Sequence, residues 1–207
     1  MQSCVQKLIE IASAASCDHS PLGGGGRSPR AAELQDMLER KNGFFAFESA
    51  LHVFPACVDG RHESIDRWNR FELWKSAYSD SLAPMTCFAE NIFGDQFAIM
   101  DSDIVSFDSE SGEVEVIASS IDDWACQILV DYEFMTGYAL ATEWQKRFGP
   151  IRQNERLVPK MPFILGGDYS IDNLYVSDSA EAMRAKGDLY RQTRDLPDGS
   201  RARLIVR

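Results

Sequence analysis

From residue 76 to residue 145 the chain has no lysine, arginine or histidine. Fourteen acids fall in that interval, so it carries −14, while the whole 207-residue protein carries −11. The residues before the interval total −1 and those after it +4. A balance this negative argues against a binder of nucleic-acid phosphates or of an anionic membrane surface, because both need a basic footprint. It permits attraction of a basic protein. Long apolar runs are absent too, and nothing approaches the roughly 18 consecutive apolar residues of a membrane span. The opening MQSCVQKLIEIASAASC does not read as a signal peptide, since its one base, Lys7, lies inside the stretch and Glu10 interrupts the apolar residues. Cysteine is sparse and widely spaced, at Cys4, Cys17, Cys57, Cys87 and Cys126. With no CxxC and an odd count, neither a disulfide framework nor a zinc site is expected, and a reducing cytoplasm fits. The three histidines, His19, His52 and His62, form no HxH or HExxH pattern, which argues against a metal or nucleophile role.

What is present supports a folded core. Hydrophobic residues make up 44% of the chain, with 12 Phe, 6 Tyr and 4 Trp, enough to exclude global disorder. A short amphipathic helix is expected around Val5, Leu8, Ile9 and Ala12. The Pro- and Gly-rich stretch through Gly23 to Gly26 lacks the Lys-Ser/Thr end of a phosphate loop and reads as a linker. Residues 1–30 are therefore expected to form a variable helix and linker, with one α+β domain over 31–207. Ser28 and Pro29 predict a helix start, and Asn42-Gly43 its end. Residues 44–54, FFAFESALHVF, are ambiguous between helix and strand, and residues 63–78 predict a helix with Ile65, Trp68, Phe71 (or Glu72) and Trp74 inward.

Strands are expected over 88–90, 96–100, 104–107 and 113–117, punctuated by Gly94-Asp95 and Ser111-Gly112. Val114 and Val116 alternate with Glu113 and Glu115 as on a half-buried strand. Ser120 then predicts a helix start with Asp123 as capping partner, and Ile121, Trp124, Ile128 and Leu129 as its inward stripe. A helix over 132–148 is expected to bend or break near Gly137. Pro159 and Pro162 limit residues 157–165 to an edge strand or a crossing segment. A strand over 171–176, a helix opened by Asp178 and Glu181, and a last strand over 202–206 complete the reading.

The order of a helix, NGFFAFESALHVFP, a Trp-rich segment, FAENIFGDQFAI, a strand at Val105 to Phe107 and IASSIDDW resembles the SUKH superfamily. That superfamily joins fungal regulators of cell-wall glucan synthesis with bacterial proteins, many of them immunity proteins against toxins. The match runs over about residues 34–129, and the tail from Arg156 through PKMPFILGGDYSIDNLY to RDLPDGSRARL is similar to bacterial members with a longer C-terminal part. Gly94 and Asp95 match the family's turn between core strands, Phe107 and Ile117 its strand core positions, and Trp124 the aromatic of the following helix. The resemblance implies an α+β fold, a mixed or mainly antiparallel sheet with helices packed around it, and no catalytic motif.

No cofactor motif stands out. Asp101-Ser102-Asp103 lacks the glycine and glutamate positions of a calcium loop, and no pair of acids is singled out for glycoside chemistry. Two readings of the acidic interval remain. In one, C-terminal bases such as Arg152, Arg156, Lys160, Arg184, Arg191, Arg194, Arg201 and Arg203 cancel it through surface ion pairs worth about 0–1 kcal/mol each. In the other, Asp101, Asp103, Asp108, Glu110, Glu113 and Glu115 form a negative face that meets a basic protein partner, with charge speeding the encounter. Combined with the resemblance, the expected function is a cytoplasmic, non-enzymatic immunity protein that occludes a cognate toxin, a basic nuclease being the natural candidate. The rivals are a regulatory or scaffold protein without a toxin partner, and an enzyme or small-ligand binder using a crevice near Gly166-Gly167-Asp168.

Overall fold

A computed structural model describes residues 2–18, 28–57, 63–79 and 82–197. The glycine run, His19, His62, Arg201, Arg203 and the strand expected over 202–206 lie outside the described residues. The expected fold class holds: helices surround a six-stranded sheet whose neighbouring strands are all antiparallel. The strands are β1 (Phe44–Ala46), β2 (Leu51–Val53), β3 (Thr86–Asn91), β4 (Gln96–Met100), β5 (Asp103–Phe107) and β6 (Val114–Ala118), in that spatial order. The ambiguous aromatic stretch is thus the β1–β2 hairpin. Its turn is made by Phe47, Glu48 and Ser49, three successive residues with positive φ.

Side chains alternate across a strand, and paired residues share a face. One row crosses the sheet through Phe45, His52, Glu90, Gln96, Phe107 and Val114. Above this face lie α3 (Ile65–Trp68) and α7 (Ser179–Thr193), together with the hairpin of β7 (Glu155–Pro159) and β8 (Leu174–Asp178). On the other face Phe88 and Phe97 meet Trp124 of α4 (Ile121–Val130), which packs in turn on α1 (Cys4–Ile11) and α2 (Pro29–Arg40). A second apolar cluster joins Ile92 and Phe93 to Leu157, Leu174 and Ala141 of α6 (Tyr138–Phe148).

The local reasons follow the letters. Ser28 accepts from the Ala31 N–H with Pro29 in the first turn, Ser120 accepts from the Asp123 N–H, and Asp178 accepts from the Ala180 and Glu181 N–H groups. The Asp123 carboxylate accepts from the Ser119 N–H, a residue earlier than a capping box places it. The long helix expected over 132–148 is divided into α5 (Tyr132–Thr136) and α6 by Gly137 at φ 71°. A Cβ there would stand 2.5 Å from the Phe93 ring, so both the backbone and the packing require glycine.

Four expectations are corrected. Residues 63–78 form only the one-turn α3 and a 3-10 turn at Lys75–Ala77. Asn69 ends the helix: its Nδ2 donates to the Ile65 and Cys87 carbonyls, and its Oδ1 accepts from Lys75 Nζ and the Cys87 N–H. Val114 and Val116 are 41% and 62% exposed, because β6 is the edge of the sheet among the described residues. The strand expected over 171–176 begins at Leu174, after a 3-10 turn at Ile171–Asn173. Finally, the cysteines do pair. Cys4 is bonded to Cys126 and Cys17 to Cys57, with Cα separations of 5.0 and 6.4 Å, inside the usual range for bridges. Cys87 is free and buried, and burial pushes its thiol up to about 12.

The first helix packs into the main core. Val5, Leu8 and Ile9 are buried in the main cluster, the Val5 N–H donates to the Asp122 carboxylate, and Cys4 is bonded to α4. Among the described residues no helix is long and apolar enough to cross a membrane.

Candidate functional site

The acidic interval is not cancelled as a whole. Of the described C-terminal bases, two reach its acids. Arg156 binds Glu90 at 2.5 Å, both side chains about 1% exposed. Lys186 Nζ is buried between the Phe93 carbonyl and Ser109 Oγ, and its charge acts on Glu110. Six others are engaged elsewhere: Arg147 with Asp172, Arg152 with Glu155, Arg194 with Asp195, Arg191 with Asp188, Arg184 with the Leu73 carbonyl, and Lys160 with the Asp172 carbonyl. Among the described residues none of the six expected face residues forms an ion pair.

Those six do not form one face. Asp101, with left-handed φ 54°, and Asp103 sit at the β4–β5 turn. Asp108, Glu110 and Glu113 sit at the opposite end of β5, about 15 Å away along a five-residue strand. Glu115 is exposed in mid-edge, on the sheet face opposite Phe107. Glu110 differs most from the expectation of an exposed face, for it is only 5% exposed. The cause is the chain at 163–169, which folds over it so that the Ile164 N–H donates to its Oε2 at 3.0 Å.

The structure thereby gathers Asp108, Glu110 and Glu113 with Asp95 around a recess of about 280 Å³. Its other wall is aromatic: Phe163 and Tyr169 stack at 3.9 Å with ring planes 5° apart, and Phe93 meets Phe163 edge-on at 5.4 Å. Asp95 is anchored, its Oδ1 accepting from the Ser109 N–H and hydroxyl and its Oδ2 from Asn91. The Asp108 carboxylate shapes the turn by accepting from the Glu110 and Ser111 N–H groups. Burial pushes the Glu110 carboxyl above the usual range, with Asp95 and Asp108 adding to the rise and the Ile164 N–H and Lys186 opposing it. Tyr169 is raised as well, by burial first and then by Asp95, Asp108 and Glu110. Gly166 to Asp168, near which a crevice is expected, do not line this recess; they lie in the chain between its residues Ile164 and Tyr169.

A second recess of about 300 Å³ is lined by Phe45, His52, Glu63, Arg67, Asn154 and Asp178. Beneath it lies the polar part of the cross-sheet row. Glu90 Oε1 lies 3.3 Å from His52 Nδ1, Arg156 approaches both groups, and Trp68 Nε1 donates to Gln96 Oε1 at 2.7 Å. Burial alone would raise the Glu90 carboxyl, but Arg156 and His52 outweigh it and hold the group below its usual range. These groups bond to one another in the core, with the buried Arg156 Nε left without a hydrogen-bond partner among the described residues. Among the described residues the one cluster able to hold a metal is Cys4, Asp122 and Cys126, where the sulfurs are already bonded and Asp122 accepts from the Val5 N–H.

The sequence reading missed Asp95 as a site residue, together with Phe93, Phe163, Tyr169 and Lys186. The alternation of acids drew attention to the strands, whereas the recess is made by a segment more than fifty residues further on. The Gly166-Gly167 turn was the only local sign of it.

These features define an α+β protein with an acid-and-aromatic recess at one end of its sheet. No family model and no curated protein matches the chain. Its fold is similar to the crystal structure of Atu4351 from Agrobacterium tumefaciens, at a TM-score of 0.59 and 15% identity over 87% of this chain and 86% of that one.

Proposed function

We propose that this is a non-enzymatic binding protein that neutralises a basic protein partner by occluding it, as the SUKH resemblance implies for bacterial immunity proteins. The observation that carries the reading is the recess, where four acids of the −14 interval meet without an ion pair from the described C-terminal arginines. A basic nuclease toxin is the partner whose chemistry fits, since its phosphate-binding surface is positive. Exposed acids such as Asp108 and Glu113 accelerate encounter, and a few buried contacts set the lifetime of the complex.

The cytoplasmic setting rested on unpaired cysteines. The two bridges favour an oxidising compartment instead, where a toxin arriving from outside would be met before it reached the cytoplasm.

Association kinetics with the partner, identified by co-purification, test the reading. Asp108→Lys with Glu113→Lys is expected to slow association about tenfold at low salt and to flatten its salt dependence. Asp101→Lys with Asp103→Lys, at the far end of β5, should have a smaller effect. Equal rates for the parent and both variants would refute electrostatic capture at this site. A second reading, a small-ligand site, draws on the perturbed Glu110 beside the recess and is separated from the first below.

A further inference from the structure

We propose that the acid-and-aromatic recess is a guanidinium pocket that receives one arginine side chain of the partner. The inference rests on the binding-protein reading above and names the group recognised at its site.

Three independent features of the recess agree. The first is a carboxylate with unused capacity: Glu110 is 5% exposed and lines the recess, yet among the described residues its Oε2 accepts one hydrogen bond and its Oε1 none. A carboxylate accepts about four hydrogen bonds, and a planar guanidinium supplies two in parallel. The second is the aromatic wall. Phe163 and Tyr169 present a stacked pair, and Tyr169 is 68% exposed. A flat cation stacks on such a surface, and a guanidinium does so better than an ammonium, being planar and more weakly hydrated. The third is size. At about 280 Å³ the recess falls just below the roughly 300–1,000 Å³ of pockets that enclose drug-sized ligands, which suits the end of a single side chain.

Charge and geometry argue against an anion and against a metal ion. Asp95, Asp108, Glu110 and Glu113 outnumber Lys186, and the Lys186 ammonium is tied to Phe93 and Ser109, so an anion is repelled. A metal ion is disfavoured because Asp95 is anchored through both oxygens and Asp108 Oδ1 is held by two N–H groups, while the Phe93, Phe163 and Ile164 side chains offer no ligand atom. Glu113, exposed at the rim, is placed to steer the cation inward.

NMR titration of the full-length protein with Nα-acetyl-arginine amide tests the assignment. Saturable shifts confined to residues 93–95, 108–113 and 163–169 are expected, with weaker binding of Nα-acetyl-lysine amide and none of the neutral citrulline analogue. Tyr169→Ala should weaken the arginine probe about fivefold by removing the stacking face, and Glu113→Gln about threefold; both residues are exposed, so neither change threatens the fold. Equal binding of the citrulline analogue, absence of saturation, or an affinity unmoved by Tyr169→Ala would overturn the pocket. Much tighter binding of agmatine than of the amide would overturn the protein-borne source and favour a small guanidinium compound. Failure of the probe with salt-sensitive partner association intact would sink the pocket alone. A bound probe with partner association indifferent to Asp108→Lys and Glu113→Lys would support the pocket and sink the broader reading.

Discussion

Removing the Cys4–Cys126 bridge should cost the protein a large part of its thermal stability. The bridge joins residues 122 apart, and the inner Cys17–Cys57 bridge, spanning 40, shortens the free loop to about 82 residues. Loop-closure entropy for that length amounts to about 4.5 kcal/mol at 25 °C, an upper figure because real denatured chains keep some structure. A chain of this size unfolds with an entropy of about 0.4 kcal/mol per degree, so the midpoint should fall by about 10 °C. The assay is differential scanning calorimetry without reductant on Cys4→Ser, Cys126→Ser and the double variant. All three should fall together, since either substitution breaks the same bond, and reductant, which opens both bridges, should lower the parent's midpoint further. Alkylation of the denatured parent should find one thiol, that of Cys87. A fall of less than about 2 °C in all three variants, or five thiols in protein isolated from its native compartment, would refute the reasoning.

Two further changes probe the core. Arg156→Met should destabilise by about 3–5 kcal/mol at neutral pH by leaving the Glu90 carboxylate buried without its cation, and Glu90→Leu in the same chain should recover much of the loss in denaturant titrations. Because the folded Glu90 carboxyl is held below its usual range, the parent gains stability from it above that range and loses it as pH falls through the folded value; the Arg156→Met penalty should therefore shrink on acidification. Gly137→Ala combines a left-handed backbone with a clash against Phe93 and Ile92 and should lower stability by about 2–4 kcal/mol in the same titrations.

Much of the fold was legible because its signals are local. Gly94-Asp95 and Ser111-Gly112 mark turns by backbone chemistry, and Ser28, Ser120 and Asp178 mark helix starts by the N–H groups they accept from. The segment around Trp68 and Trp74 misled because its helical spacing is overridden by Asn69, which bonds to β3 eighteen residues later. The exposed Val114 and Val116 have a similar cause: alternation says that a strand has two faces, not that a partner covers either. The cysteine bridges and the recess were illegible for one shared reason. Each depends on contacts between distant residues, Cys4 with Cys126 and Glu110 with Ile164, that no spacing rule encodes.

The meeting of Glu90 with Arg156 has an evolutionary corollary. A lineage could not shed the C-terminal hairpin gradually, because each shortened form would strand an anion inside the barrier that keeps water out. Relatives built without that hairpin should carry a neutral residue where Glu90 stands, so the two positions are bound to change as a pair.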